Sequence, residues 1–159
     1  MRMTRVAKET RAKALVAARV AAGIGRSTEH CLARMDLTAS QYRLLASLAR
    51  GTNVPSVLAE VLAMPPPSIT SAVDGLVARG FVERTPDDAD RRRILHSLTA
   101  KGKAALAAAD AAVSGAILES LAVLGDPAQT AMALDGLAVF QRAFDEHLTR
   151  GERPNFGPP

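Results

Sequence analysis

Residues 80–102 read GFVERTPDDADRRRILHSLTAKG, and this stretch decides the fold. Phe81-Val82-Glu83-Arg84-Thr85 and Ile94-Leu95-His96-Ser97-Leu98 are two short strand-like runs, joined by Pro86 through Arg93. Together they predict a β-hairpin with a long, charged tip. Thr99 stands where it can cap a following helix, and Gly80 stands where a preceding helix must end. That preceding helix is expected to begin at about Pro66. Three consecutive prolines cannot lie inside a helix, but proline suits the first helical position, where its missing N–H had no partner. Ile69, Ala72, Val73, Leu76 and Val77 then recur at three- and four-residue spacing, which leaves Ser68, Thr70, Ser71 and Asp74 on the outer face.

Toward the N-terminus, a short helix is expected from about Pro55 and Ser56, with Leu58, Val61 and Leu62 facing one way. Before it, Leu37 and Thr38 supply a staple and a cap for a helix over 39–50, in which Tyr42, Leu45, Leu48 and Ala49 share a face and which Gly51 ends. Residues 10–35 hold no proline and are largely Ala, Arg, Val and Leu, so they read as one long helix. Gly23 and Gly25 would each cost it about 1 kcal/mol relative to Ala, which close packing would explain. Beyond Thr99 an Ala-rich helix is expected to reach Leu124, the Gly125-Asp126-Pro127 break to start a last helix ending near Leu148, and residues 149–159 to form a flexible tail.

The chain has 159 residues, which suits one domain with helical extensions and leaves little room for a second catalytic domain. Ala accounts for 31 residues, Trp is absent, and Tyr and Phe number one and four, a composition that favours packed helices over a sandwich or barrel. A single cysteine closes no intramolecular disulfide and builds no structural zinc quartet, so a reducing, cytoplasmic setting is expected. The apolar stretch after the basic N-terminus is interrupted by Arg19, Arg26 and Glu29. Neither a signal-peptide core nor a membrane span is expected there, and no membrane anchor elsewhere. Net charge is +4, but residues 1–35 carry eight basic against two acidic residues, while 126–159 carry three against five. Two readings of this asymmetry stand: the two ends meet in a dimer, or both are solvated helix faces.

Three short helices, a hairpin and long flanking helices make a mainly α fold with a small β-hairpin. It is a winged helix-turn-helix flanked by N- and C-terminal dimerisation helices. The expected division is a dimerisation helix over 1–36, the winged module over 37–98, C-terminal dimerisation helices over 99–148, and the tail. A helix small enough for the major groove, roughly 12 Å wide, is steadied by two others, and a basic hairpin tip reaches the backbone or minor groove.

At these residues the chain resembles the MarR family of bacterial transcription regulators. The matching residues are Leu37-Thr38 with Gln41-Tyr42, Leu58-Ala59 with Leu62, Thr70 with Val73-Asp74 and Leu76, and Gly80-Phe81-Val82-Glu83-Arg84. Asp90-Arg91-Arg92 followed by Leu98-Thr99 and Gly102 carries the resemblance furthest, because the wing spacing is kept. The resemblance implies a homodimer that binds double-stranded DNA at a pseudo-palindromic operator and represses nearby genes until a small, often phenolic, ligand or oxidation releases it. It places Ser68, Thr70 and Ser71 at base edges and phosphates, and Arg84, Arg91, Arg92 and Arg93 in the wing, with Asp90 orienting a wing arginine through an ion pair. Thr38, Gln41 and Ser56 stand near helix starts, where free backbone donors attract phosphate. Many relatives have Arg where this chain has Ser71, and no basic residue precedes Arg79 on the recognition helix. Hydroxyl and methyl contacts, wing charge and DNA shape are therefore expected to carry more of the reading.

The resemblance also implies an effector pocket between the dimer helices and the winged module, and His30, Arg34 and Tyr42 are its candidates by position, since the end of the first helix must pass close to the start of the second. Cys31 has two readings: a buried, inert thiol, or the redox sensor of an oxidation-responsive regulator that lacks the tyrosines accompanying such thiols in relatives. His30, His96 and His147 are too scattered for a metal motif, and no GxSxG, P-loop or GxGxxG is present, so neither metal, cofactor nor catalysis is expected. The alternative to a DNA-binding regulator is a helical dimer acting through protein contacts, with lost or weak DNA binding.

Overall fold

The computed structural model describes residues 2–87, 90–91 and 93–149, with side chains described from 8 to 147 within those ranges. The described elements are α1 (Arg2–Ala33), α2 (Ala39–Ala49), α3 (Pro55–Val61), α4 (Pro66–Ala78), β1 (Val82–Pro86), β2 (Ile94–Leu98), α5 (Ala100–Ala122) and α6 (Pro127–Thr149). They fall into two compact units, Met1–Ile117 and Leu118–Pro159.

In the first unit, α1 starts earlier than residue 10, because nothing in its polar first turns breaks a helix. It ends in a turn where the Leu37 N–H donates to the Leu32 carbonyl at 3.0 Å. Close packing within the chain does not account for its glycines: a Cβ on Gly23 or Gly25 would meet nothing within 4 Å. Helices α3 and α4 both carry proline at their first positions, as the sequence requires. Gly80 adopts φ +70°, which lets the chain turn so that the Phe81 N–H donates to the Leu76 carbonyl at 2.9 Å. The hairpin that follows is antiparallel, with Val82 opposite Leu98, Arg84 opposite His96 and Pro86 opposite Ile94.

The core of this unit gathers Leu32 from α1, Leu44, Leu45 and Leu48 from α2, Leu58 from α3, Ile69, Val73 and Leu76 from α4, Val82 from β1, and Leu106 and Ala109 from α5. Helices α2, α3 and α4 thus turn their apolar sides to one centre, closed by the end of α1 and the first half of α5, which leaves the opposite face of α4 to solvent. Helix α5 is long and apolar enough to match a membrane span by length and composition, its apolarity coming largely from ten alanines. Buried Gly102, Leu106 and Ala109 turn its first half toward the core.

In the second unit, Asp126 opens α6: its carboxylate accepts the Ala128 N–H at 2.8 Å and the Gln129 side-chain amide at 2.9 Å. These bonds hold its carboxyl below the usual range, the Ala128 N–H contributing most. Met132, Leu137, Phe140 and Phe144 of α6 are exposed in the single chain. Thr149 ends α6, and the rest of the expected tail, 150–159, lies outside the described residues.

Candidate nucleic-acid interface

Ser68, Thr70, Ser71 and Asp74 are all exposed on α4, as its period requires. The Thr70 hydroxyl donates to the Pro66 carbonyl one turn back at 3.1 Å, which fixes its rotamer while leaving its methyl available. Helix α4 crosses α2 closely: a Cβ on Gly75 would lie 3.1 Å from the side-chain nitrogen of Gln41.

Beyond the core contact of Val82, one arginine ties the exposed face of the hairpin to α4. The Arg84 guanidinium pairs with the Asp74 carboxylate. Its Nε also donates toward Nε2 of His96, its cross-strand partner, at 3.4 Å. His96 is buried, and burial pushes its pKa below the ordinary histidine value; the Asn53 carbonyl opposes that shift, Arg84 reinforces it and Asp74 opposes it. Toward the hairpin tip the Asp87 N–H donates to the Arg93 carbonyl at 3.0 Å and the Arg93 N–H to the Asp90 carbonyl at 2.8 Å. The Arg93 Nε stands 3.9 Å from the Asp87 carboxylate. Asp90 and Arg91 are exposed, whereas Arg92, expected beside them, lies outside the described residues.

The Leu98-Thr99 and Gly102 pattern resolves into a joint between hairpin and α5. The Thr99 hydroxyl donates to the Gly80 carbonyl at 2.7 Å and accepts the Gly102 N–H at 3.0 Å, so one side chain caps α5 and fastens it to the end of α4. A Cβ at position 102 would sit 1.9 Å from the Phe81 carbonyl oxygen, so only glycine fits. Arg79 completes the joint. Its guanidinium donates to the Met35 carbonyl at 3.1 Å and to the Asp36 carbonyl, in the turn that follows α1, and lies 4.5 Å above the Phe81 ring. Lys101 donates to the Arg79 carbonyl at 2.8 Å.

Thr38 and Gln41 form a reciprocal capping box on α2, each side chain accepting the other's backbone N–H, at 3.1 and 3.0 Å. Ser56 is exposed in the first turn of α3, whose start has no side-chain cap. His30 and Arg34 are exposed. The Tyr42 hydroxyl instead donates to Asp110 of α5 at 2.6 Å. Burial first, then the Asp110 hydrogen bond and charge, push the phenol up to about 12. No hydrogen bond joins His30, Arg34 and Tyr42 to one another among the described residues. Cys31 is half-buried in α1.

Four residues hold structural roles at this site that the sequence does not announce. Helical period puts Asp74 on the outer face but names no partner for it, and histidine spacing weighs His96 only as a metal ligand. Arg79 reads as no more than a late cation on its helix, and nothing in the Ala-rich run around Asp110 singles that residue out. A period-two strand pattern does put Arg84 and His96 in facing runs, and that is the available signal for their pairing.

Residues 35–93 match the model of the MarR family. Multiple antibiotic resistance protein MarR of Salmonella typhimurium is 34% identical over 80 residues, 50% of this chain and 56% of that protein, so the match spans about half the length of that relative. A mutant MarR from Escherichia coli superposes with a TM-score of 0.72 at 26% identity, covering 80% of this chain and 95% of that one. The transcriptional repressor CouR, solved bound to a 23-mer DNA duplex, superposes with a TM-score of 0.65 at 28% identity, covering 79% and 89%. Motif order, helical joint and hairpin agree with these matches: residues 35–93 match the MarR family, and the fold is that of the MarR-type winged helix-turn-helix proteins.

Proposed function

We propose that the chain is a cytoplasmic, homodimeric transcriptional regulator that binds a pseudo-palindromic DNA duplex, represses nearby genes and responds to a small aromatic ligand. The observation that carries this reading is the exposed row Ser68, Thr70 and Ser71 on a helix whose neighbouring hairpin, with arginines at its tip, is anchored to it by the Arg84–Asp74 pair. The similarity to CouR, solved on a duplex, supports it. Ser68, Thr70 and Ser71 then meet bases and phosphates, Arg91, Arg92 and Arg93 meet phosphates, and Ser56 and the α2 start contribute backbone contacts. Segments 1–36 and 99–148 supply the dimer: Leu15, Val16 and Val20 of α1 and Phe140 and Phe144 of α6 are exposed in the single chain, and a second copy would cover them. His30, Arg34 and Tyr42 remain the proposed effector contacts.

A second reading, a helical dimer with weak DNA binding, is favoured by one observation: Arg79, the sole cation on α4's end, is engaged by the turn after α1 and by Phe81. One experiment separates the two. Duplexes are selected from a random pool, and wild type, Arg92→Ala and Ser71→Ala are titrated by fluorescence anisotropy across salt. Arg92→Ala is expected to weaken binding to every duplex and to flatten the log-log salt slope by about 1 for each phosphate left without its cation. Ser71→Ala is expected to change sequence preference. Failure to enrich any duplex at low salt would decide for the second reading.

A further inference from the structure

We propose that His96 is a proton-sensitive positioning residue, which holds the hairpin against α4 while its ring is neutral and releases Arg84 when it is protonated. This deepens the DNA-binding reading and rests on it for its consequence, though not for its geometry. His96 is 5% exposed, in the middle of β2. Its Nε2 faces the Arg84 Nε–H at 3.4 Å. A guanidinium can only donate, so Nε2 must offer its lone pair and the ring proton sits on Nδ1. That Nδ1 is buried without a hydrogen-bond partner. The Asn53 carbonyl, which accepts the His96 backbone N–H at 3.0 Å, influences the ring without completing a bond to it.

A second proton would go to Nε2, setting donor against donor and cation against cation across the strand pair. The charges acting on the ring are Arg84 from β1 and Asp74 from α4; α2, which also packs on β2, adds none among the described residues. Asp74 is paired with Arg84, so it softens the repulsion without removing the donor conflict. The ring's pKa is depressed below the ordinary histidine value near 6.5, mainly by burial. The stabilisation by neutral His96 is therefore present above that ordinary value and is lost as pH falls through the depressed one. Arg84 makes the polar side-chain link from hairpin to recognition helix, beyond the core contact of Val82, so its release loosens the wing and weakens duplex binding at acid pH.

The test uses the full chain and His96→Gln, which keeps an acceptor for Arg84 and does not titrate. The ring of His96 is followed by NMR from pH 8 to 4.5, amide exchange of β1 and β2 is corrected for intrinsic rate, and a random-sequence 30-bp duplex is the binding probe. Expected are a ring pKa below the ordinary value, loss of hairpin protection in wild type but not His96→Gln as that pKa is crossed, and an affinity loss about tenfold larger in wild type. Ring titration at or above the ordinary value, or equal pH profiles of hairpin protection in the two proteins, would overturn the proposal. If His96→Gln does not fold, the wild-type ring titration and hairpin exchange decide by themselves. If neither protein binds the duplex while hairpin protection behaves as expected, the device stands and the DNA-binding reading falls.

Discussion

Replacing Gly102 by alanine sets two physical terms against each other. In a helix interior Ala is better than Gly by roughly 1 kcal/mol, so an open position would gain about that much. At position 102 the new Cβ would stand 1.9 Å from the Phe81 carbonyl oxygen and 2.8 Å from its carbon, and backbone cannot rotate aside as a long side chain does. The hairpin and α5 must part by more than about 1 Å to reach ordinary contact, an overpacking cost of roughly 1–3 kcal/mol. Parting also breaks the bond from the Thr99 N–H to the Phe81 carbonyl at 3.1 Å and that from the Thr99 hydroxyl to Gly80 at 2.7 Å. Each is worth roughly 1 kcal/mol net. After the helix-propensity gain, the expected destabilisation is about 2–4 kcal/mol. Urea unfolding followed by circular dichroism at fixed chain concentration measures it, with Gly115→Ala as comparison because its Cβ would meet nothing within 4 Å in the chain. A Gly102→Ala protein as stable as wild type, or more so, would refute the steric account of this glycine.

Arg79→Ala should lower stability by about 2 kcal/mol, through removal of the charged hydrogen bonds to the turn after α1 and of the cation over Phe81, while leaving the salt dependence of duplex binding unchanged. Arg79→Lys should recover less than half, since an ammonium does not reproduce the planar fork. Tyr42→Phe should cost about 1–2 kcal/mol at neutral pH through loss of the Asp110 bond. The Tyr42 phenol is pushed up to about 12, so its contribution is complete below pH 10 and lost as pH rises from about 10 through 12. Wild type and Tyr42→Phe should therefore converge in stability over that interval, as pH-dependent unfolding would show.

Local pattern carries the elements well and their connections poorly, for a physical reason. Proline at the starts of α3 and α4, Gly80 at the end of α4, and the Thr38–Gln41 spacing act within one turn of backbone, so the sequence displays them directly. Arg79 meets the turn after α1 through carbonyls 43 and 44 positions earlier, and no periodicity announces such a pairing. Thr99 and Gly102 are visible as a pattern, but their reason, a backbone oxygen of Phe81 where a Cβ would go, exists only once the hairpin is laid beside α5. Gly23 and Gly25 show the converse: sequence logic asks for close packing, and the chain has open space there.

The engagement of cations by the fold bears on how the module would hold a duplex. Seven arginines lie between positions 36 and 98, and three of these guanidiniums serve the protein's own architecture: Arg79 joins the turn after α1, Arg84 bridges Asp74 and His96, and Arg50 donates to Ser47 at 3.2 Å. Arg93, whose side chain is exposed, stands 3.9 Å from the half-buried Asp87, a loose pair that a phosphate could compete with. Arg43 and Arg91 are exposed and carry no hydrogen bond or ion pair among the described residues. In the proposed function, phosphate neutralisation would then fall mainly to the hairpin tip and to Arg43 on α2. On that reading, salt acts through the hairpin and α2, base sequence acts through Ser68, Thr70 and Ser71, and the Arg84 link sets how firmly the two are held in register.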